Sequence, residues 1–154
     1  MQLLEKQKAK HSYGILEKQF RHYFARAKKT PGITGEHMMQ MLERRLDNVV
    51  YRVGFASSRA QARQVVVHGH IMLNGRKVDI PSLLVKVGDV LSWREASKET
   101  ELYKTVAEGI QGKVVPSWLS LDKQDFTAQV LTLPTRQEID AKFNEQAIVD
   151  YYSR

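Results

Sequence analysis

The chain has 154 residues, no cysteine and a formal net charge of +7, and this length favours one domain or two small ones. The lack of cysteine excludes disulfides, thiolate metal sites and a cysteine nucleophile. No apolar run approaches the roughly 20 residues that a membrane span needs, and residues 1–10 lack the apolar core of a secretory signal.

The positive charge is concentrated in one half of the sequence. Residues 1–77 carry 15 Lys and Arg against 5 Asp and Glu, or +10, whereas residues 78–154 carry 9 against 12, or −3. Many proteins are basic, but a charge distribution this uneven is typical of nucleic-acid binders, because each cation that meets a phosphate releases counterions. We therefore expect the first half to bind a polyanion.

Residues 2–29 are predicted to be helical, with a break at Gly14 and an end at the turn Thr30-Pro31-Gly32. Phe20 and Phe24 belong to an apolar stripe at spacings of three and four, which favours core packing. For Tyr13, core packing and stacking on an unpaired base are equally compatible with the sequence. The other residues of this segment that we expect to contact RNA are Lys6, Lys8, Lys10, His11 and Arg21.

The next helix is predicted to begin near Thr34, which can cap it, and to end at Gly54. Its apolar residues recur at helical spacing and indicate a core-facing stripe, formed by Met38, Leu42, Leu46, Val49 and Val53. On another side, Arg45, Asn48 and Arg52 fall within about 60° of one another. This helix is therefore expected to present a cationic edge.

The sequence Ser58-x-x-Gln61 is typical of a helix capping box, and Gly69 is placed to end the same helix. Arg59 and Arg63 lie one turn apart and share the outer edge, beside the free N–H groups of the helix N-terminus. We therefore interpret this end of the helix as a phosphate-binding site.

Asn74-Gly75 predicts a two-residue β-hairpin turn, because both positions tolerate a positive φ. Ile71–Leu73 leads into the turn, basic residues leave it, and a second turn follows at Pro81-Ser82. Residues 85–93 read as further short strands. This part of the chain is therefore expected to form a small antiparallel sheet.

The acidic second half is predicted to contain a helix over 96–112, a turn at 116–119 and a strand over 129–133. Thr135-x-x-Glu138 is a second capping box, and Asn144 can cap a last helix over Glu145–Tyr152. The mixture of helices and short antiparallel strands predicts an α+β fold.

Enzymatic chemistry is not predicted. The sequence has no Gly-rich phosphate loop, no G-x-S-x-G and no H-E-x-x-H motif, and Asp47 lacks an accompanying nucleophile. His68 and His70 point apart as residues i and i+2 across a helix end, which disfavours joint metal binding. Hydrogen bonding to RNA and plain hairpin packing are equally compatible with these two residues. No metal and no cofactor is expected.

The sequence does predict a cationic surface carried on short helices and strands. Such a surface suits folded RNA, whose phosphates are exposed. Beside the residues of the first segment, the expected RNA contacts are Arg44, Arg45, Asn48, Arg52, Ser58, Arg59, Arg63, Gln64, His68, His70, Asn74, Arg76 and Lys77.

The block from Arg45-Leu46-Asp47 through His68-Gly69-His70 and Leu73-Asn74-Gly75 to Gly88-Asp89 resembles the S4 RNA-binding domain. That domain also occurs in pseudouridine synthases, tyrosyl-tRNA synthetases and small heat-shock RNA binders. The flanking sequences, above all those at 6–8, 13–21 and 43–52 and the ending from Asn144, narrow the resemblance to bacterial-type small-subunit ribosomal protein S4. This resemblance covers nearly the whole chain.

The resemblance implies a helical domain built from both chain ends, 1–43 and 134–154. The RNA-binding domain is inserted at 44–133, with its core motif at 45–105. It also implies early binding to small-subunit rRNA, nucleation of subunit assembly and a place in the cytoplasmic or organellar ribosome. There the protein would contact ribosomal protein S5, help line the mRNA entry path and influence decoding accuracy, and some members repress their own mRNA. No membrane partner is implied.

Family members usually carry a further basic segment, sometimes with zinc-binding cysteines, ahead of the region that matches residues 6–8. The chain starts almost at that point, so we expect the segment to be lost or trimmed, and no zinc is assigned. Two other functions are compatible with an RNA-binding module of this kind. An RNA-modifying enzyme would need a catalytic domain, for which the remaining residues are too few. A free-standing RNA-binding stress factor would cosediment with large rather than small ribosomal subunits.

Overall fold

The computed structural model describes residues 1–139 and 143–153, so positions 140–142 and 154 of the predicted segment 134–154 lie outside the described residues. The helices are α1 (Gln2–Tyr13), α2 (Glu17–Lys29), α3 (Thr34–Glu43), α4 (Leu46–Arg52), α5 (Arg59–Val67), α6 (Glu101–Gly109) and α7 (Glu145–Tyr152). The strands are β1 (Ile71–Leu73), β2 (Arg76–Val78), β3 (Val90–Trp93), β4 (Leu119–Asp122) and β5 (Thr127–Val130). This content confirms the predicted α+β class.

The chain divides into two compact units, one formed by residues 1–43 with 134–154 and the other by residues 44–133. The first unit is helical, and within it α7 packs on α1 and α3, while α2 packs on α3. Gly14 has a φ of 66° and ends α1, which confirms the predicted break. Phe20 and Phe24 are buried as predicted, and the Phe24 ring stacks on Tyr152 with centroids 5.0 Å apart.

The second unit contains a five-stranded antiparallel sheet in the order β2-β1-β3-β5-β4. The helices α4 and α5 pack on each other, and their apolar faces join the sheet in one buried cluster. Asn74 and Gly75 have φ values of 53° and 79°, which confirms the predicted hairpin turn between β1 and β2. The cluster contains the stacked rings of Phe55 and Phe126, whose centroids are 4.9 Å apart.

The single helix predicted from Thr34 to Gly54 is wrong, because α3 ends at Glu43 and α4 begins at Leu46. The backbone between them pairs with a distant segment instead. Leu46 N–H donates to the carbonyl of Leu83 at 2.8 Å, and the N–H of residue 85 donates to the carbonyl of residue 44 at 3.0 Å. The apolar stripe continues through the break at helical spacing, so the local sequence does not reveal it.

The strands of the second half also differ from the prediction. Within residues 85–93 only β3 is a strand, and β4 was missed, although the predicted turn at 116–119 is present as a bond from Leu119 N–H to Pro116. β5 starts at Thr127 rather than at residue 129 because the tight β4–β5 turn ends at Phe126, whose φ is 57°. The side chain of Asp122 accepts two N–H bonds in that turn, each at 3.0 Å.

Side-chain caps hold the ends of the short helices. The Ser58 hydroxyl accepts the N–H of Gln61 at 3.0 Å, but the Gln61 side-chain oxygen accepts the N–H of Ser57 rather than of Ser58, at 2.6 Å. The capping box of Thr135 and Glu138 is complete and starts a short 3-10 turn. Asn144 accepts the N–H of residue 147 at 3.1 Å and caps α7, as predicted.

A buried ion pair stands at the start of α4. Arg45 and Asp47 are 1% and 3% exposed, and the guanidinium donates to both carboxylate oxygens, at 3.1 and 2.9 Å. One of those oxygens also accepts the N–H of Asn48 at 2.7 Å. The structure therefore corrects the expectation that Arg45 contacts RNA, because its guanidinium is enclosed in the protein and bound to a carboxylate.

We predict that Arg45→Ala lowers the free energy of unfolding by about 3–5 kcal/mol, because it leaves the Asp47 carboxylate buried without its cation. Urea unfolding followed by circular dichroism measures the change. Arg76→Ala is the matched control, since Arg76 is exposed on β2 and its loss should change stability by no more than about 0.5 kcal/mol. Equal effects of the two substitutions would contradict the prediction.

Candidate RNA interface

The outer face of α5 carries exposed polar and cationic side chains. Ala62, Val65 and Val66 are buried and hold the opposite face of the helix in the core. The outward positions fall on the other side because residues three and four apart share a helix face. The predicted RNA contacts that are exposed there are Arg63, Gln64 and His68, with Arg59 half-exposed at the first turn.

The β1–β2 hairpin adds two more exposed cations, Arg76 and Lys77. The stem of Lys77 lies against Gly69, where a Cβ atom would collide with it, and Gly69 has a left-handed φ of 77°. Only glycine allows this close approach without strain. This contact brings the end of α5 and the basic strand β2 together, although they are separated in the sequence.

His70 lies close to several cationic groups of this region. Its ring stacks on Trp93 with centroids 5.5 Å apart, and Nδ1 lies 2.7 Å from the Ser97 hydroxyl oxygen. Burial lowers the pKa of His70, and the neighbouring charges of His68, Arg94 and Lys77 lower it further. Of the two roles left open for this histidine, hairpin packing is the one that its contacts show.

Two of the residues predicted to contact RNA, Asn74 and Ser58, also make structural hydrogen bonds. The amide of Asn74 donates to the carboxylate of Asp89 at 2.9 Å and accepts the N–H of Val90 at 2.8 Å. It therefore fastens the hairpin turn to the start of β3. The hydroxyl of Ser58 caps α5, as described above. Both residues are exposed, but their polar atoms already have partners within the protein.

Arg59 is held in place by two side chains of α4. Its Nε donates to the side-chain oxygen of Asn48 at 2.9 Å, and its guanidinium carbon lies 4.8 Å from the centroid of the Tyr51 ring. Arg52 lies 6.0 Å from the same ring. Asn48 is fully buried, so the predicted RNA contact through Asn48 is replaced by an indirect role, the orientation of Arg59.

Arg44 is half-buried, and its Nε donates to the carbonyl of Val85 at 2.9 Å. The side chain thereby reinforces the backbone pairing between residues 44–46 and 83–85.

In the helical unit, cations converge on one carboxylate. Lys6 is only 4% exposed and donates to Glu17 at 2.9 Å. Lys10 and Arg21 reach the same carboxylate at 3.6 and 3.7 Å, and the hydroxyl of Tyr152 donates to it at 3.2 Å. The expected phosphate contact through Lys6 is therefore corrected, because its ammonium is buried, whereas the Arg21 side chain is 68% exposed.

Tyr13, the other undecided residue, is a core residue. It is 2% exposed, and its hydroxyl donates to the carboxylate of Glu43 at 2.7 Å. Because its ring is buried, Tyr13 cannot stack on an unpaired base. Lys8 and His11 are exposed, and Lys8 lies 3.4 Å from Glu5 in a surface ion pair.

Lys113 and Arg94 are cations that the sequence analysis did not single out. Lys113 lies 5.5 Å from the Tyr51 ring, and Arg94 is one of the charges that act on His70. Each lies far along the chain from its neighbour in space, and no local pattern marks it. Only the folded structure reveals that these residues extend the cationic surface.

Within residues 1–139 and 143–153, no three His, Cys, Asp or Glu side chains are grouped so that they could hold a metal ion. None of the helices in the same part of the chain is long and apolar enough to span a bilayer.

Known protein families match this chain over residues 1–91. The family model of the S4 domain matches residues 44–91, and that of the ribosomal protein S4/S9 N-terminal domain matches residues 1–43. The small ribosomal subunit protein uS4 of Dehalococcoides mccartyi is 54% identical over 153 residues, which cover 99% of this chain and 74% of that protein. The chain belongs to the uS4 family.

Two further uS4 proteins show the same coverage. Those of Heliobacterium modesticaldum and Syntrophomonas wolfei are 52% and 53% identical over 154 residues, which cover 100% of this chain and 74% of each relative. The S4-domain match contains α4, α5 and the β1–β2 hairpin, so the exposed cations of α5 and β2 lie in the part of the chain that defines this domain.

The Glu17 cluster predicts a pH dependence of stability. Burial alone raises the pKa of Glu17, but the hydrogen bond and charge of Lys6, helped by Tyr152 and Lys10, outweigh it and hold the pKa below its ordinary value of 4.5. A carboxyl with a lowered pKa in the folded state stabilises the fold above its unfolded-state pKa, and this stabilisation is lost as the pH falls through the folded-state pKa.

We therefore expect Lys6→Met to lower the free energy of unfolding at pH 7 and to have a progressively smaller effect as the pH falls below 4.5. Urea unfolding from pH 7 down to the lowest pH at which the chain folds tests this. Lys18→Met, at an exposed position of α2, is the control and should show no such trend. A Lys6→Met effect that is independent of pH would contradict the role given to Glu17.

Proposed function

We propose that this chain is a structural constituent of the small ribosomal subunit that binds the subunit's rRNA through its S4 domain. The observation that carries the proposal is the set of exposed cations on α5 and on strand β2, whose Lys77 lies against the end of α5 at Gly69. These are Arg63, Arg76 and Lys77, with the half-exposed Arg59. The sequence match of this region to the S4 domain and the names of the relatives support the same assignment.

The arrangement suits RNA shape better than base sequence. A-form RNA hides its base edges in a deep groove and exposes its phosphates and 2′-hydroxyls. Cations carried on a helix and a hairpin can meet phosphates of a folded RNA, and every matched phosphate releases counterions. Because the relatives are ribosomal proteins, we assign the chain a binding and architectural role and no catalysis.

Three finer roles follow from the family resemblance and are part of the proposal. The protein would bind early and nucleate subunit assembly, would contact ribosomal protein S5, and would lie near the mRNA entry path, where it influences decoding accuracy. The charge distribution supports a division of labour, since residues 78–154 carry a net charge of −3 and suit a surface that faces protein or solvent.

The proposal is tested by the salt dependence of binding to a transcript of the small-subunit rRNA. Replacing Arg59 and Arg63 together by Ala should weaken binding and flatten the slope of log affinity against log salt by about 2, one for each lost phosphate contact. The matched control is Lys104→Ala on α6, where the exposed lysine pairs with Glu101 at 3.5 Å. A slope equal to that of the unchanged protein would remove both arginines from the interface.

Cosedimentation tests the assignment to a subunit. We expect the chain to enter particles of the small subunit when it is present during their assembly from rRNA. A stress factor that recognises stalled ribosomes would instead sediment with large subunits. Footprinting of the bound rRNA transcript would then locate the contact, and loss of protection in the Arg59→Ala, Arg63→Ala double variant would identify the nucleotides beside α5.

A further inference from the structure

A cavity of about 280 Å³ opens beside the cationic edge of the second unit. It is bounded by the end of α4, the start of α5 and one side of α6. Its polar lining includes Tyr51, Ser57, Gln61, Thr105 and Lys113. No acidic residue is among the described residues that line it, so a bound anion would meet no like charge on the walls.

Three cations lie around the ring of Tyr51, which is one of the residues that line this cavity. The guanidinium carbons of Arg59 and Arg52 lie 4.8 and 6.0 Å from the ring centroid, and the ammonium of Lys113 lies 5.5 Å from it. An aromatic ring attracts cations through its electron-rich face without neutralising them. The ring therefore gathers positive charge beside the cavity, and the ammonium-bearing side chain of Lys113 is itself among the residues that line it.

Lys113 is placed there by the local backbone. Its N–H bonds to the carbonyl of Ile110 at 3.0 Å, at the end of the 3-10 turn Ile110–Gly112. Its stem runs across Gly54, where an added Cβ would lie 2.9 Å from Cγ of Lys113 and where φ is 83°. Gly54 therefore follows the end of α4 and also leaves room for the Lys113 side chain.

Lys113 also differs from other lysines of the second unit. Lys98 and Lys104 pair with Glu95 and Glu101 at 2.8 and 3.5 Å. Within the described part of the chain, Lys113 makes no ion pair with a carboxylate and contacts the Tyr51 ring instead. A cation held over a ring, beside an opening without acidic walls, is suited to receive a negative group from a partner.

We propose that this cavity binds one backbone phosphate of the RNA, with Lys113 as a direct contact and Tyr51 as the residue that positions the cations around it. The proposal rests on the proposed function, because it supplies the phosphate from the same RNA that contacts α5. It extends the interface past the S4-domain match at residues 44–91, to a lysine that lies outside it.

The direct contact is tested with Lys113→Gln against Lys104→Gln, both measured on the small-subunit rRNA transcript over a range of salt concentrations. Loss of one phosphate contact should lower the salt slope by about 1 and weaken binding about five- to tenfold at 0.1 M salt, whereas Lys104→Gln should change neither. Thermal unfolding of each variant checks that the fold is retained. Equal slopes for Lys113→Gln and the unchanged protein would overturn the proposal.

The positioning role is tested by a double-mutant cycle. Tyr51→Phe keeps the ring, so in that background Lys113→Gln should lower the salt slope by as much as it does in the unchanged protein. Tyr51→Leu removes the ring and should weaken binding several-fold, and Lys113→Gln should then have little additional effect, because the lysine has lost its support. Fully additive effects of Tyr51→Leu and Lys113→Gln would show that the ring does not position the lysine.

The two proposals fail in distinguishable ways. If the unchanged protein shows no preference for the small-subunit transcript over an unrelated RNA of equal length, the proposed function fails. If that preference and the effect of the Arg59→Ala, Arg63→Ala variant are retained while Lys113→Gln has no effect on the slope, only the phosphate site in the cavity fails.

Discussion

Mutual repulsion among cations is the constraint on which the arrangement of this protein depends. An RNA-binding surface needs several positive charges close together, and in the absence of RNA those charges destabilise the fold that carries them. The chain meets this constraint by giving clustered cations a fixed internal partner. Glu17 gathers Lys6, Lys10 and Arg21 in the helical unit, and Tyr51 gathers three cations in the second unit.

The two partners have different consequences. A carboxylate such as Glu17 cancels one of the charges that it gathers, and it draws Lys6 into the interior. An aromatic ring has no net charge, so the attraction of the Tyr51 ring for these cations does not itself cancel any of their charge. Asp47 is the limiting case, because its pairing with Arg45 is almost wholly buried and serves the start of α4. The same residue type, arginine, is thus structural at one position of the chain and directed outward at another.

Local chemistry made much of the fold predictable, and non-local pairing set the limit. Gly14, the Asn74-Gly75 turn and the Asn144 cap act on their immediate neighbours, and all three are found as predicted. The break at residues 44–45 depends on hydrogen bonds to residues 83–85. The helical spacing of apolar residues cannot predict such long-range bonds. In the site, the spacing of apolar residues in α5 predicted which of its side chains are exposed. The burial of Arg45 and the position of Lys113 beside Tyr51 depend instead on residues that are remote in sequence.

The ring-held cluster around Tyr51 also bears on how fast and how firmly RNA can be engaged. Arginine and lysine normally lose rotational freedom when a ligand immobilises them, at about 0.5–1.5 kcal/mol for each side chain. Arg59, fixed by both Asn48 and the ring, has given up most of that freedom on folding. Docking through Arg59 therefore costs little further freedom of that side chain, in contrast to the exposed Arg63, Arg76 and Lys77.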